Sequence, residues 1–193
     1  MKNIGIFVFN DIELMDFAGP YEVFSVTNEL NDYQLCRTFT FSESSDRIKS
    51  INGLCVIPDY TVENCPDIDI LIIPGGIGTK KILENDKILS FIEERYNKSD
   101  FTFSVCSGAR ILAKIGLLHN RKFITHHEVI SDILQIDPSA VLQKNARFVD
   151  EGKILTSAGI SAGIDLSLYM VEKLFGNETA DKTAAYMEYE KRN

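Results

Sequence analysis

Four groups of residues in this sequence have types and spacings that can do chemistry. The first is Cys106, in the stretch Phe101-Thr102-Phe103-Ser104-Val105-Cys106-Ser107-Gly108-Ala109-Arg110. The front half is a short β-branched and aromatic run, which reads as a buried strand. The back half, Ser107 to Gly116, carries Ile111, Leu112 and Ile115 at helical spacing and reads as a helix stopped by Gly116. Cys106 therefore falls at a sharp strand-to-helix turn. Free backbone N–H groups and the positive end of the helix dipole favour a thiolate there. Ser-Val-Cys-Ser-Gly matches the x-nucleophile-x-Gly half of a nucleophile elbow, with Ser104 in place of the first glycine. The alternative is a small apolar cysteine buried in a core.

A nucleophilic thiol needs a group to take and return its proton. Asp16 and Glu22, in the first loop and helix, are the carboxylate candidates. Asp16 also suits a helix cap, and Glu22 an exposed helix charge. Gly75-Gly76, directly after the apolar run Asp69-Ile70-Leu71-Ile72-Ile73-Pro74, offers N–H groups to a developing negative charge, or is simply a tight turn. The sequence has no GxxxxGK[ST], and Gly-Gly-Ile-Gly lacks the GxGxxG spacing, so this is not a phosphate loop. His126 and His127 are further candidates from strand-end logic, whereas His119 reads as part of an exposed turn. His126-His127-Glu128 has no HExxH spacing and no thiolate companion, so no metal and no cofactor is expected.

The elements that must position these groups alternate between buried strands and amphipathic helices. Ile4–Phe9 is an apolar run typical of a strand covered on both faces. A helix is expected to start near Pro20, a residue suited to the first helical position, and to run to about Leu30. Strands are read at Tyr33–Phe41, at Leu54–Pro58 as an edge or antiparallel piece, and at Asp69–Pro74. Two helices follow at about Thr79–Leu83 and Lys87–Tyr96. After the elbow come short strands at Phe123–Thr125, Val141-Leu142 and Phe148-Val149. A tight turn at Asp150–Lys153 and a strand over Ile154–Gly159 complete the strand pattern. Ile160–Phe175 reads as a long helix closed by Gly176, and Asn177 as the cap of a last helix to about Tyr189. This predicts an α/β fold: a flavodoxin-like, doubly wound, mostly parallel sheet with helices on both faces, in one domain over residues 1–193. Ligands bind such sheets beyond the C-terminal strand ends, where Asp16, Gly75-Gly76, Cys106 and the Gly159 turn would share one crevice.

Composition narrows the functional class. Asp and Glu number 28 against 20 Lys and Arg, a formal net charge of −8, so no basic face is expected for nucleic acid or an anionic membrane. No apolar run approaches the ~18 residues of a membrane helix. The N-terminal apolar stretch is interrupted too soon by Asn10, Asp11 and Glu13 for a signal peptide. Cys36, Cys55, Cys65 and Cys106 form no CxxC pair and read as reduced thiols of a cytoplasmic protein.

Five segments together resemble the DJ-1/PfpI superfamily of class I glutamine amidotransferase-like folds. They are Asp16-Phe17-Ala18-Gly19-Pro20-Tyr21-Glu22-Val23-Phe24, Ile73-Pro74-Gly75-Gly76, Ser104-Val105-Cys106-Ser107-Gly108-Ala109, Thr125-His126-His127 and Thr156–Asp165. The Asp-x-x-Gly-Pro loop and the Cys-Ser-Gly elbow are most similar to the isonitrile hydratase branch and to the ligand domains of AraC-type regulators. The resemblance implies Cys106 as nucleophile, Asp16 as general acid/base, Ser107 hydrogen-bonding near it, Gly76 lending an N–H, and a homodimer. Protease-like members carry a His directly after the nucleophile; Ser107 stands there, which leaves a third catalytic residue unassigned. The function expected is a cysteine-dependent small-molecule enzyme adding water to an isonitrile to give an N-substituted formamide. Amide or peptide hydrolysis, glyoxal handling, and a non-catalytic ligand- or redox-sensing domain are the alternatives. The regulator branch continues into a helix-turn-helix region; this chain ends at Asn193, so no DNA-binding module is expected.

Overall fold

A computed structural model describes residues 1–191 of the chain. In chain order the elements are β1 (Lys2–Phe7), α1 (Leu14–Glu29), β2 (Cys36–Ser42), β3 (Ile48–Lys49), β4 (Cys55–Val56), β5 (Tyr60–Thr61), β6 (Ile70–Ile73), α2 (Thr79–Ile82) and α3 (Asp86–Lys98). They continue with β7 (Phe101–Ser104), a 3-10 turn (Cys106–Gly108), α4 (Ala109–Lys114), β8 (Lys122–Phe123), a second 3-10 turn (His127–Val129) and α5 (Ile130–Ile136). The last are β9 (Val141–Leu142), β10 (Phe148–Glu151), β11 (Ile154–Ser157), α6 (Ala162–Phe175) and α7 (Asn177–Tyr186).

The main sheet has the strand order β10-β11-β7-β6-β1-β2-β5. Every neighbouring pair is parallel except the β10–β11 hairpin. The expected flavodoxin-like α/β fold is present, with helices on both faces. That sandwiching explains the unbroken apolar strands: Ile70, Leu71, Ile72 and Ile73 of β6 are all fully buried, as are Ile4 and Ile6 of β1. Each such side chain contributes about 1.5–3 kcal/mol of burial. The chain leaves β1 toward β2 on one side and reaches β6 on the other, so the strand order reverses beside β1 and opens a crevice at the C-terminal strand ends.

Local expectations held unevenly. The β4 piece is antiparallel to β3, and Gly152 turns the β10–β11 hairpin with a φ of +84°. Pro20, expected at the first turn, instead lies inside α1, which begins six residues earlier at Leu14. Burial overrides the lost N–H: Asp16, Pro20, Val23 and Thr27 recur at helical spacing and form the covered face of α1. Asn177 does not cap α7. Gly176 occupies that position, and the Asn177 side chain donates to Asp181 within the helix. The two-residue strands β3 and β5, at Ile48-Lys49 and Tyr60-Thr61, fall below the length at which alternation can be read.

Candidate active site

Cys106 sits where β7 gives way to the 3-10 turn, and its backbone is left-handed, with φ +55°. L-residues other than glycine adopt that conformation at a cost of about 1–2 kcal/mol, which the surroundings must offset. Neighbouring strands pin the elbow on both sides. The Val105 N–H donates to the Ile73 carbonyl at 3.0 Å, the Cys106 N–H donates to the Ala158 carbonyl at 3.2 Å, and Thr125 Oγ1 donates to the Cys106 carbonyl at 2.6 Å. The N–H groups of Ser107 and Ile160 point at the sulfur.

Asp16 reaches the same place from the buried face of α1. It is fully buried, and its Oδ2 accepts the Gly75 N–H at 3.0 Å. Oδ1 is buried with no hydrogen-bond partner among the described residues, and the Cys106 thiol lies beside the carboxyl as a donor to it. Burial pushes the Asp16 carboxyl from its ordinary 3.8 up to about 7, against the lowering effect of the Gly75 N–H. Burial, then the Asp16 charge, push the Cys106 thiol up to about 12, while the Ser107 and Ile160 N–H groups pull the other way. The pair therefore loses one proton near neutrality and keeps the second into alkali. This corrects the expectation that the helix end favours a thiolate here: desolvation outweighs the few N–H dipoles aimed at the sulfur.

Residues 2–173 match the DJ-1/PfpI family. The chain belongs to that family. It is 29% identical over 189 residues to an isonitrile hydratase of Pseudomonas putida, covering 96% of this chain and 78% of that protein. It is 24% identical over 190 residues to the HTH-type transcriptional regulator GbdR of Pseudomonas aeruginosa, covering 98% of this chain but only 51% of the regulator. In structure it is similar to a THiJ/PfpI family protein from Pseudomonas syringae, with a TM-score of 0.89 and 28% identity over all of this chain and 76% of the other.

In this DJ-1/PfpI chain the glycine pair does not face the thiol with free donors. The Gly75 N–H serves Asp16, and the Gly76 N–H donates to Ser107 Oγ at 2.8 Å, which in turn donates to the Gly76 carbonyl at 3.1 Å. Gly76 has φ +125°, a backbone that only glycine adopts freely. The pair thus builds the turn that carries the acid and Ser107, while the donors beside the sulfur are Ser107 and Ile160. Glu22 lies off the buried stripe of α1 and is exposed, away from the cavity. A cavity of about 320 Å³ opens over Cys106, and Ser107, Gly76, Arg110 and His126 are among its walls. His126 is half-buried there and accepts the Glu128 N–H at its Nδ1. His127 is exposed, its ring tilted against that of His126 at 4.3 Å between centroids. Among the described residues no group of three or more His, Cys, Asp or Glu side chains is placed to hold a metal ion. No helix among them is long and apolar enough to cross a membrane.

Three contributors escaped the sequence reading. Arg110 is buried in the cavity wall, held by Asp132 and by Thr79 Oγ1 at 3.0 Å; a cation within the apolar run Ala109-Arg110-Ile111-Leu112 was the available signal. Glu13, also in the wall, adds its charge to the upward push on Asp16. Ile160 has φ +48°, and nothing in its residue type announces that its N–H would face a sulfur.

Proposed function

We propose that the chain is a cysteine-dependent enzyme that adds water to an isonitrile and releases an N-substituted formamide. The observation that carries this reading is the Cys106–Asp16 pair, a strained thiol beside a buried carboxyl that changes protonation near pH 7. Likeness to the Pseudomonas putida isonitrile hydratase supplies the substrate class.

Asp16 takes the thiol proton as the sulfur attacks. The new sulfur–carbon bond forms on the terminal isonitrile carbon, and Asp16 returns the proton to that carbon, giving a thioimidate. Water then adds to the same carbon and gives up one proton to nitrogen. The sulfur–carbon bond breaks, the oxygen becomes the formyl carbonyl with loss of its remaining proton to Asp16, and that proton returns to the sulfur. Ser107 holds the Gly75-Gly76 turn through Gly76, and the N–H groups of Ser107 and Ile160 stabilise negative charge on sulfur. His126 borders the cavity, and its Nδ1 is taken by the Glu128 N–H, with no carboxylate paired to its ring among the described residues.

The test is formamide production from small isonitriles by wild type, Cys106→Ala and Asp16→Asn. Turnover by wild type with loss in both variants is expected. No wild-type turnover, or equal turnover in Cys106→Ala, removes the reading. A second reading, a non-catalytic ligand pocket, draws on likeness to the GbdR regulator; ligand binding without turnover of isonitriles, amides or glyoxals would favour it. A cytoplasmic homodimer is part of the same proposal, by family resemblance, and a monomer in sedimentation equilibrium would remove that part.

A further inference from the structure

The cavity over Cys106 is not the largest hollow beside it. A second cavity of about 610 Å³ shares two of its walls, His126 and Ile160, so the two spaces adjoin across one imidazole and one exposed isoleucine. The lining of the second cavity mixes apolar side chains, Ile124, Ile130 and Leu142, with polar ones, Lys144, Asn145 and Arg147. Among the described residues no carboxylate lines it, in a chain that carries 28 acidic residues against 20 basic ones.

The two cations differ in kind. Arg147 is locked: its Nε donates to Asp165 Oδ2 at 2.7 Å, and Nη2 bonds Asp165 and, at 3.1 Å, Ser161 Oγ. Asp165 has a fully buried side chain that also accepts from the Tyr189 hydroxyl at 2.9 Å, so the guanidinium is oriented from behind. Nη1 is left without a partner among the described residues, and the Asp165 charge largely offsets that of Arg147. Lys144 is exposed, forms no ion pair among the described residues, and supplies the uncompensated positive charge. One net charge and one fixed guanidinium edge beside an aliphatic wall suit a monoanion on an apolar stem better than a phosphate dianion.

We propose that the second cavity binds the tail of the substrate, an apolar segment ending in a carboxylate, while the reactive end passes His126 and Ile160 to reach Cys106. The identity of the reactive end rests on the isonitrile reading; the carboxylate site does not. The substrate class is then an isonitrile joined through an aliphatic or aromatic stem to a terminal carboxylate.

Two measurements separate the claims. The first is binding of unreactive probes to the full chain, by calorimetry and amide chemical shifts: octanoate, its methyl ester, octylamine and octyl phosphate. Octanoate is expected to bind about fivefold or more tightly than the ester, as one partly screened charge allows, with shifts around Lys144 and His126. That preference should vanish in Lys144→Gln and invert in Lys144→Glu, each variant being referred to its own ester affinity. Equal binding of acid and ester, a preference indifferent to Lys144, or tighter binding of octyl phosphate overturns the proposal. The second is turnover of an isonitrile bearing a terminal acid or its ester. Octanoate binding that depends on Lys144 with no isonitrile turnover leaves the carboxylate site standing and removes the isonitrile reading. Equal turnover of acid and ester, mainly through an unchanged KM, does the reverse.

Discussion

The backbone N–H of Gly75 donates to Asp16 Oδ2 at 3.0 Å, and a Cβ on Gly75 would lie 2.7 Å from that same oxygen. The carboxyl is thus held by a residue that tolerates no side chain. The same Cβ would stand 2.6 Å from both the nitrogen and Oγ of Ser107. Gly75→Ala is expected to destabilise the fold by about 1–3 kcal/mol through overpacking and to lower turnover at least about tenfold by displacing the acid. Urea unfolding together with steady-state rates checks this; an unchanged midpoint and rate would show that the close approach is not needed.

Asp16 should make stability fall as the pH rises. The unfolded carboxyl titrates near 3.8 and the folded one near 7, so between those values the folded chain holds a proton that the unfolded chain has lost. The destabilisation grows from about pH 4 and is complete above about pH 7, reaching on the order of 4 kcal/mol. Asp16→Asn removes it, so the variant should gain on wild type between pH 4.5 and pH 8 while losing turnover. A difference in urea midpoint that is the same at both pH values would contradict the raised carboxyl.

Alkylation of Cys106 should report the shared proton. In wild type the rate with iodoacetamide is expected to rise through about pH 7, as the pair loses its first proton. Asp16→Asn should lose that step, since no carboxylate remains to take the thiol proton. Mass spectrometry separates Cys106 from exposed Cys55 and from buried Cys36 and Cys65. A step near pH 7 that persists in the variant would detach Asp16 from the sulfur.

Backbone strain at Cys106 can be measured by comparing two variants that lack the sulfur. At φ +55° glycine avoids a cost of about 1–2 kcal/mol that alanine bears. Cys106→Gly should therefore be at least about 1 kcal/mol more stable than Cys106→Ala, the opposite of the usual order within regular structure. Denaturant unfolding of the pair decides it; an alanine variant as stable as the glycine one would mean that the elbow relaxes once the sulfur is gone.

The sequence by itself determined the sandwich and the position of the sulfur. Runs such as Ile70–Ile73 are apolar at every position because both sheet faces are covered, and the strand-to-helix change around Cys106 is written in adjacent residues. Local patterns also placed the β10–β11 turn at Gly152 and brought Asp16 and Cys106 to one end of the sheet. Tertiary structure decided what those residues do there. Asp16 became a buried acid rather than a cap because Pro20, Val23 and Thr27 turn its side of α1 inward, while Glu22 was turned to solvent. The Gly75 and Gly76 amides found Asp16 and Ser107, partners 59 and 31 residues away. Ile160 presents its N–H to the sulfur through a left-handed backbone that its side chain does not favour. Desolvation, hydrogen-bond pairing and strain are properties of the assembled neighbourhood, set by side chains far apart in the chain, and no local spacing encodes them.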